Sequence, residues 1–217
     1  MRIYIPPEDI QQKEKIKLSS DKSHHLITVF RCKQGNAITV IDGKGKAYEA
    51  EVSRIVKKDV FINIIREVST DVESPLNLVI CQGILRGEKM DIVVQKTTEL
   101  GIKGIIPIIT ERTVIRDTRR LKRWRKIAEE SVEQCGRTII PVIHEPVYFE
   151  DFFKCQQSSV MDQKLNGLIF WEEGGLSLRE TIRRIRSQDA EYRIQNSPIY
   201  ILIGPEGGFA SGEVKIA

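Results

Sequence analysis

Short apolar-rich runs broken by tight turns make roughly the first seventy positions read as β structure, and then the pattern changes. Ala37-Ile38-Thr39-Val40-Ile41 runs into Asp42-Gly43 and on to Ala47-Tyr48-Glu49-Ala50-Glu51-Val52, the pattern of two strands joined by a tight hairpin. Val60-Phe61-Ile62-Asn63-Ile64-Ile65 follows the turn-like Lys57-Lys58-Asp59 as another strand. Ser20 to Phe30 reads as a short helix capped by Ser20 or Asp21. Short strands joined by tight turns predict a small barrel. The polar stretch STDVESP, residues 69–75, ends in a proline and marks a linker and domain boundary.

Beyond it, apolar runs alternate with helical periodicity. Leu76 to Cys81 reads as a strand. Met90, Val93, Val94, Thr97 and Leu100 then recur at helical spacing, closed by Gly101 as a C-cap. Ile105 to Ile109 is the next strand. Residues 119–135 predict an amphipathic helix with Leu121, Trp124, Ala128, Val132 and Cys135 inward and basic residues outward. A strand near Ile139–Ile143, a helix near Glu150–Cys155, the strand Leu168–Trp171 and a helix over Leu178–Ser187 follow. Ser187–Asn196 reads as a loop before the last apolar run, Ile199–Ile203. Alternating strands and helices imply a mainly parallel α/β sheet.

Composition changes this picture little: 41% hydrophobic and 29% charged residues are ordinary for a soluble globular chain. No apolar run reaches bilayer length and the amino terminus has no secretion-signal core, so the expected compartment is the cytoplasm, with no membrane partner. Cys32, Cys81, Cys135 and Cys155 are too scattered for a zinc spacing and read as free thiols, so no metal is expected. The net charge of +4 is mild, but residues 112–126 hold eight Lys/Arg against Asp117 alone. That stripe is either a polyanion-binding footprint or a solvated helix face.

Chemistry concentrates where apolar runs end. Ile199–Ile203 stops in Gly204-Pro205-Glu206-Gly207-Gly208, and ligands of open α/β sheets settle at such carboxyl ends. The Gly-Lys-Ser/Thr of a phosphate loop is absent, as is dinucleotide-fingerprint spacing. The turn is either structural or a wrap for a nucleoside-like ligand. Phe170-Trp171-Glu172-Glu173-Gly174-Gly175 ends a second strand, setting aromatics beside carboxylates and a flexible Gly-Gly. Glu99 and Glu111 lie at element ends with Arg112 close in sequence, and Arg137 ends the basic helix, where it meets phosphate or caps helix carbonyls. His24, His25 and His144 read as structural. No Ser/His/Asp order or paired-acid arrangement supports hydrolysis, and no catalytic residue is assigned.

Taken in order, these segments resemble the RsmE family. The resemblance rests on His24-His25-Leu26 with Phe30-Arg31, Lys89-Met90-Asp91 through Gln95–Gly101, Thr110-Glu111-Arg112-Thr113, Glu129–Arg137 and Ile203–Phe209, from Arg2 to about Glu213. It implies 16S ribosomal RNA uridine-N3 methylation of the small subunit with S-adenosylmethionine. It also implies an α/β fold in which a PUA-like RNA-binding barrel, residues 1–70, precedes a SPOUT methyltransferase domain, residues 75–217, threaded into a trefoil knot and acting as a homodimer. By the same resemblance Phe170, Trp171, Glu172, Ile203, Gly204, Pro205, Glu206, Gly207 and Gly208 form the cofactor pocket. Arg2, His25, Arg31, Arg86, Lys89, Arg112, Arg116 and Arg137 are the expected RNA contacts. Family members continue with a Leu-Gly-x-Arg-Ile-Leu-Arg-x-Glu-Thr-Ala segment, whereas this sequence stops at Ala217; either a tail lies beyond it, or the chain is truncated, in which case an incomplete knot and weak or absent cofactor binding are expected. A non-catalytic RNA-binding protein is the alternative expectation, and a nucleotide-dependent enzyme using the glycine turn is a further one.

Overall fold

The hairpin signal at Asp42-Gly43 becomes a loop whose shape one carboxylate holds. Asp42 Oδ1 accepts the backbone N–H of Lys44 at 2.8 Å and of Lys46 at 2.9 Å. Gly43 has φ +72, and a side chain there would meet the Tyr4 ring at 2.9 Å. The computed structural model describes residues 1–11, 15–114, 119–158, 166–187 and 198–217. In it the loop joins β3 (Ala37–Ile41) to β4 (Ala47–Val56), and Lys57-Lys58 turns the chain into β5 (Asp59–Val68). With β1 (Arg2–Tyr4) and β2 (Ile16–Lys17) they form a five-stranded sheet of order β1-β3-β4-β5-β2. The β1–β3 pair is parallel and the others antiparallel. The ladder does not close into a ring among the described residues.

One apolar face carries this unit. Ile3, Ile38, Val40, Val52, Val60 and Ile62 are buried together with Leu26 of α2 (Ser20–Thr28). A short helix, α1 (Pro7–Gln11), precedes β2. The cap of α2 is Ser19, not Ser20 or Asp21: Ser19 is extended and accepts from Lys22 N–H, while those two already lie within the first turn. By proximity, Met1–Glu73 and Glu129–Ile140 form one compact unit, and Ser74–Ala128 with Pro141–Ala217 the other. Glu73, inside the polar stretch expected to be a linker, accepts the N–H groups of Thr138 (2.7 Å) and Ile139 (3.1 Å). Glu133 accepts Tyr4 N–H at 2.7 Å, and burial raises its carboxyl above the ordinary value.

The second unit is built on parallel pairing. Its strands are β6 (Leu78–Gly83), β7 (Gly104–Ile109), β8 (Val142–Ile143), β9 (Val147–Tyr148), β10 (Gly167–Phe170) and β11 (Ile199–Ile203). They lie in the order β10-β11-β6-β7-β8, with β9 also on β7, and the pairings are parallel. Near-continuous apolar runs suit this position, because central strands are covered on both faces. Every residue of β7 is buried. Cys81, Ile106, Ile108 and Leu202 meet Phe149, Phe152 and Phe153 of α5 (Phe149–Ser158) and Phe209 in one core. Burial there pushes the Cys81 thiol up to about 12, so it stays protonated and unreactive.

The helices follow their periodicity with local exceptions. α3 (Lys89–Leu100) closes on Gly101, at φ +89, whose N–H reaches the Thr97 and Thr98 carbonyls. In α4 (Leu121–Cys135), Trp124, Ala128 and Val132 are buried and Leu121 is half-buried, but Cys135 is exposed. The helix ends there and Gly136, at φ +89, turns the chain, so helical period no longer sets where Cys135 points. α6 (Leu178–Ser187) and α7 (Ser211–Ile216) complete the described elements. The strand expected near Ile139–Ile143 is only Val142–Ile143; Pro141 has no N–H to give a ladder, and Ile139 bridges to Lys44 instead. The expected loop after Ser187 lies outside the described residues. No helix among the described residues is long and apolar enough to cross a membrane.

Candidate cofactor site

Parallel pairing delivers the carboxyl ends of β6, β7, β10 and β11 to one edge of the sheet. The turn Gly204–Gly208 folds over that edge and is fastened from below. Gln82, buried at the end of β6, donates its amide Nε2–H groups to the carbonyls of Gly83 (3.0 Å) and Gly204 (3.1 Å), with Ile203 O at 3.4 Å. A polar side chain at that depth is tolerated because carbonyls at the strand ends satisfy it. Gly83 lies so close to the turn that a Cβ would sit 2.5 Å from Pro205 N. Gly204 in turn abuts Gly208, where a Cβ would come within 2.9 Å of the carbonyl carbon. The turn closes with Gly208 N–H donating to Pro205 O at 2.9 Å.

Charged groups hold its outer side. Arg112 Nη1 donates to Gly207 O at 2.6 Å, and a Cβ on Gly208 would meet Glu172 Oε1 at 2.9 Å. Glu206 points to the junction between β6 and α3, where it accepts from Lys89 Nζ at 2.9 Å and Arg86 N–H at 3.1 Å. The hydrogen bond from Lys89, then those from its own backbone N–H and that of Arg86, hold this carboxyl at about 2, below the ordinary 4.5. Glu213, buried in α7, accepts Ala210 N–H at 2.8 Å and Glu111 N–H at 2.9 Å, so it caps its helix and anchors the segment after β7.

A depressed carboxyl has a direction in pH. The folded value lies below the ordinary one, so the stabilisation is full above about 4.5 and is lost as pH falls toward about 2. Acid titration followed by amide spectra of the turn should show Gly207 and Gly208 loosening within that window. Glu206→Gln should remove the acid-dependent step while weakening the turn near neutrality.

Beside the turn the sheet presents bare apolar surface. Phe170 and Ile203 are register partners at the ends of β10 and β11, and they are 48% and 37% exposed. Leu176 and Leu178, on the segment after β10, are also about half exposed. Trp171 is half-buried and packs on the core. Exposed apolar residues beside a polar, backbone-rich turn form the lining expected of a small-molecule site.

Of the residues expected in the pocket, Trp171 serves partly as core, while Phe170, Glu172, Ile203 and the turn Gly204–Gly208 share this edge. Arg86, Lys89 and Arg112 surround the turn. Arg2, His25, Arg31 and Arg137 lie in the other unit: His25 stacks edge-on against Phe30 at 5.1 Å, Arg31 is exposed, and Arg137 pairs with Glu73. Arg116 lies outside the described residues. Glu99 bonds to Lys96 and Gln95 of its own helix. Gln82 and Glu213 were missed by the sequence reading. A lone polar residue inside the apolar run Leu78–Gly83 was the available signal for Gln82.

A glycine turn against an apolar wall lies where α/β folds with parallel sheets hold small ligands, and comparison with known proteins specifies the class. A model of an RNA methyltransferase domain matches residues 72–217, and a model of an RNA methyltransferase PUA domain matches residues 18–65. The chain is 30% identical to ribosomal RNA small subunit methyltransferase E of Buchnera aphidicola, over 99% of this chain and 80% of the relative. The Bacillus subtilis protein of the same name is 26% identical, over 98% and 82%. The crystal structure of the Neisseria gonorrhoeae protein of that name, bound to S-adenosyl methionine, superposes with a TM-score of 0.81 at 29% identity, covering 100% of this chain and 84% of that one. The chain belongs to the ribosomal RNA small subunit methyltransferase E family, with a SPOUT-type α/β methyltransferase fold and an amino-terminal PUA domain.

Proposed function

We propose that this protein methylates N3 of a uridine in 16S ribosomal RNA of the small subunit, using S-adenosylmethionine. The observation that carries the reading is the Gly204–Gly208 turn, locked onto Gln82, Gly83 and Arg112 and flanked by the exposed Phe170–Ile203 pair. The donor set fits a nucleoside cofactor: backbone groups and apolar faces for a flat ring, with no phosphate-loop lysine. Phe170, Ile203 and the edge of Trp171 would wall it, Gly204, Pro205, Gly207 and Gly208 would frame it, and Glu206 and Glu172 would hold that frame in shape. When bound, the cofactor supplies a methyl group on a positively charged sulfur.

The chain's own residues contribute position more than acid–base strength. Transfer breaks the S–CH3 bond, leaving S-adenosylhomocysteine, and forms N3–CH3 while the N3 proton passes to water; in-line alignment of donor and acceptor lowers this barrier. Arg86, Lys89 and Arg112 border the turn and would draw RNA phosphates toward it; such contacts orient without choosing sequence. The same reading takes residues 1–70 as the RNA-gripping domain and 75–217 as the catalytic one, with a trefoil knot, a homodimer and a cytoplasmic setting. Trp124 is buried and gives a dimer no surface; exposed Ile92 and Leu100 of α3 are available to one.

Small subunits lacking the modification, incubated with the protein and methyl-labelled S-adenosylmethionine, should yield labelled 3-methyluridine on nuclease digestion. RNA binding without label would favour the non-catalytic reading. Label at any other position would refute the N3 assignment.

A further inference from the structure

The outer face of the β4–β5 ladder holds a cleft of about 400 Å³, lined by Lys15, Gln34, Glu51, Ser53, Arg54, Phe61 and Asn63 with backbone of Gly35 and Val52. Strand alternation sends Val52, Val60 and Ile62 to the core, which leaves Glu51, Phe61 and Asn63 outward. A bulge then re-aims the strand. Register passes from Val52↔Ile62 to Arg54↔Phe61, so Ser53 is the extra residue without a cross-strand partner. Bulges of this kind redirect side chains at working sites.

Two residues that line the cleft carry a buried oxygen with no hydrogen-bond partner: the Ser53 hydroxyl Oγ, which can accept or donate, and the acceptor Asn63 Oδ1. Glu51 stands directly across the ladder from Asn63, so acceptors cluster on one wall. On the other side the Arg54 guanidinium lies 4.6 Å from the centre of the Phe61 ring. The far end is closed by backbone: Gly35 N–H donates to Val52 O at 2.8 Å, and Val52 N–H to Asn36 O at 2.9 Å. Lys15 is exposed at the rim.

We infer that this cleft receives one unpaired base of single-stranded RNA, with guanine preferred. A flat ring stacks on the Phe61–Arg54 pair, which accepts any base face. The acceptors select among bases, because buried acceptors without a donor are costly. Guanine presents N1–H and the 2-amino group side by side on one edge, whereas uracil offers N3–H alone. Glu51 keeps phosphate out of the deep end, and Lys15 and Arg54 hold it at the rim. The inference rests on the reading that the chain acts on RNA. It adds a place, remote in sequence from the glycine turn, where RNA identity is read.

Fluorescence anisotropy with a nine-nucleotide uridine RNA bearing one central guanosine should give affinity roughly tenfold tighter than the all-uridine RNA, with inosine between them. Asn63→Leu or Arg54→Ala, both changes on the outer face of the sheet, should remove that preference. Equal affinity of the parent protein for the two RNAs, or a preference that survives both substitutions, overturns the inference. Free guanosine monophosphate binding as tightly as the guanosine RNA overturns it too, since the ligand would then be a nucleotide and not RNA. The parent comparison does not depend on how the variants fold. Intact methylation of small subunits without guanosine preference would sink the cleft alone; guanosine preference without methylation would sink the enzyme reading alone.

Discussion

Gly83→Ala should weaken binding of the proposed cofactor by more than about tenfold although it deletes no side chain of the pocket. The added Cβ would fall 2.5 Å from Pro205 N, 2.6 Å from Pro205 Cδ and 2.8 Å from Gly204 C. Two of the three atoms belong to backbone, and Pro205 is itself buried, so no flexible side chain can give way. The turn must lift from β6, breaking the Gln82 hydrogen bond to Gly204 O and shifting Gly207 against Arg112. Overpacking of this kind costs about 1–3 kcal/mol of stability. Calorimetric affinity for S-adenosylmethionine should fall by more than about tenfold, since small misplacements of a positioned site cost that much. Gly212→Ala is the control: an added Cβ there meets nothing within 4 Å and sits inside α7, so it should be neutral or stabilising by about 0.5–1 kcal/mol. Unchanged cofactor affinity in Gly83→Ala would mean that the turn is not part of the pocket.

The largest loss of stability should follow Trp124→Ala. The indole is 1% exposed, and its Nε1–H donates to Asp91 Oδ1 at 3.1 Å while Arg123 Nε holds Oδ2 at 2.8 Å. Removing it empties a large buried volume, at a cost of about 3–5 kcal/mol. Trp124→Phe keeps most of the volume and loses the donor, so about 1–2 kcal/mol is expected. Urea unfolding followed by circular dichroism checks the ranking. Trp171 is then the sole tryptophan, and its fluorescence reports the second unit alone. Equal midpoints for the two variants would contradict the ranking.

Much of this was legible in the sequence because the information is local. β-branched runs became β7 and β11, the Gly101 stop became a left-handed cap, and Asp42-Gly43 became the hairpin loop. The glycine turn was visible as well, because only glycine tolerates such close backbone approach. What stayed hidden is carried by polar side chains reaching across the chain. Glu73 looked like linker polarity, yet its partner Thr138 is 65 residues away. Glu213 and Glu111 are 102 apart, and nothing in either neighbourhood signals the other. Asp91 entered only as part of the Lys89-Met90-Asp91 resemblance, with no structural role read for it, whereas in the fold it is the buried acceptor for Trp124. Helical periodicity placed Trp124, Ala128 and Val132 correctly and failed at Cys135, where the helix itself ends.

The order of strands in the second sheet has a kinetic consequence. β11 lies between β10 and β6, although it is the last described strand in the chain, and its partner residues on β6 lie more than a hundred positions earlier. Until Ile199–Ile203 slots into that gap, two parallel edges stand open and the turn has nothing to close upon. Contacts so distant in sequence are slow to form, because the intervening chain loses its freedom before they repay it. The proposed ligand edge is therefore expected to form last in the sheet, leaving an open, aggregation-prone seam until β11 docks, and refolding kinetics followed at Gly207 and Gly208 should show it.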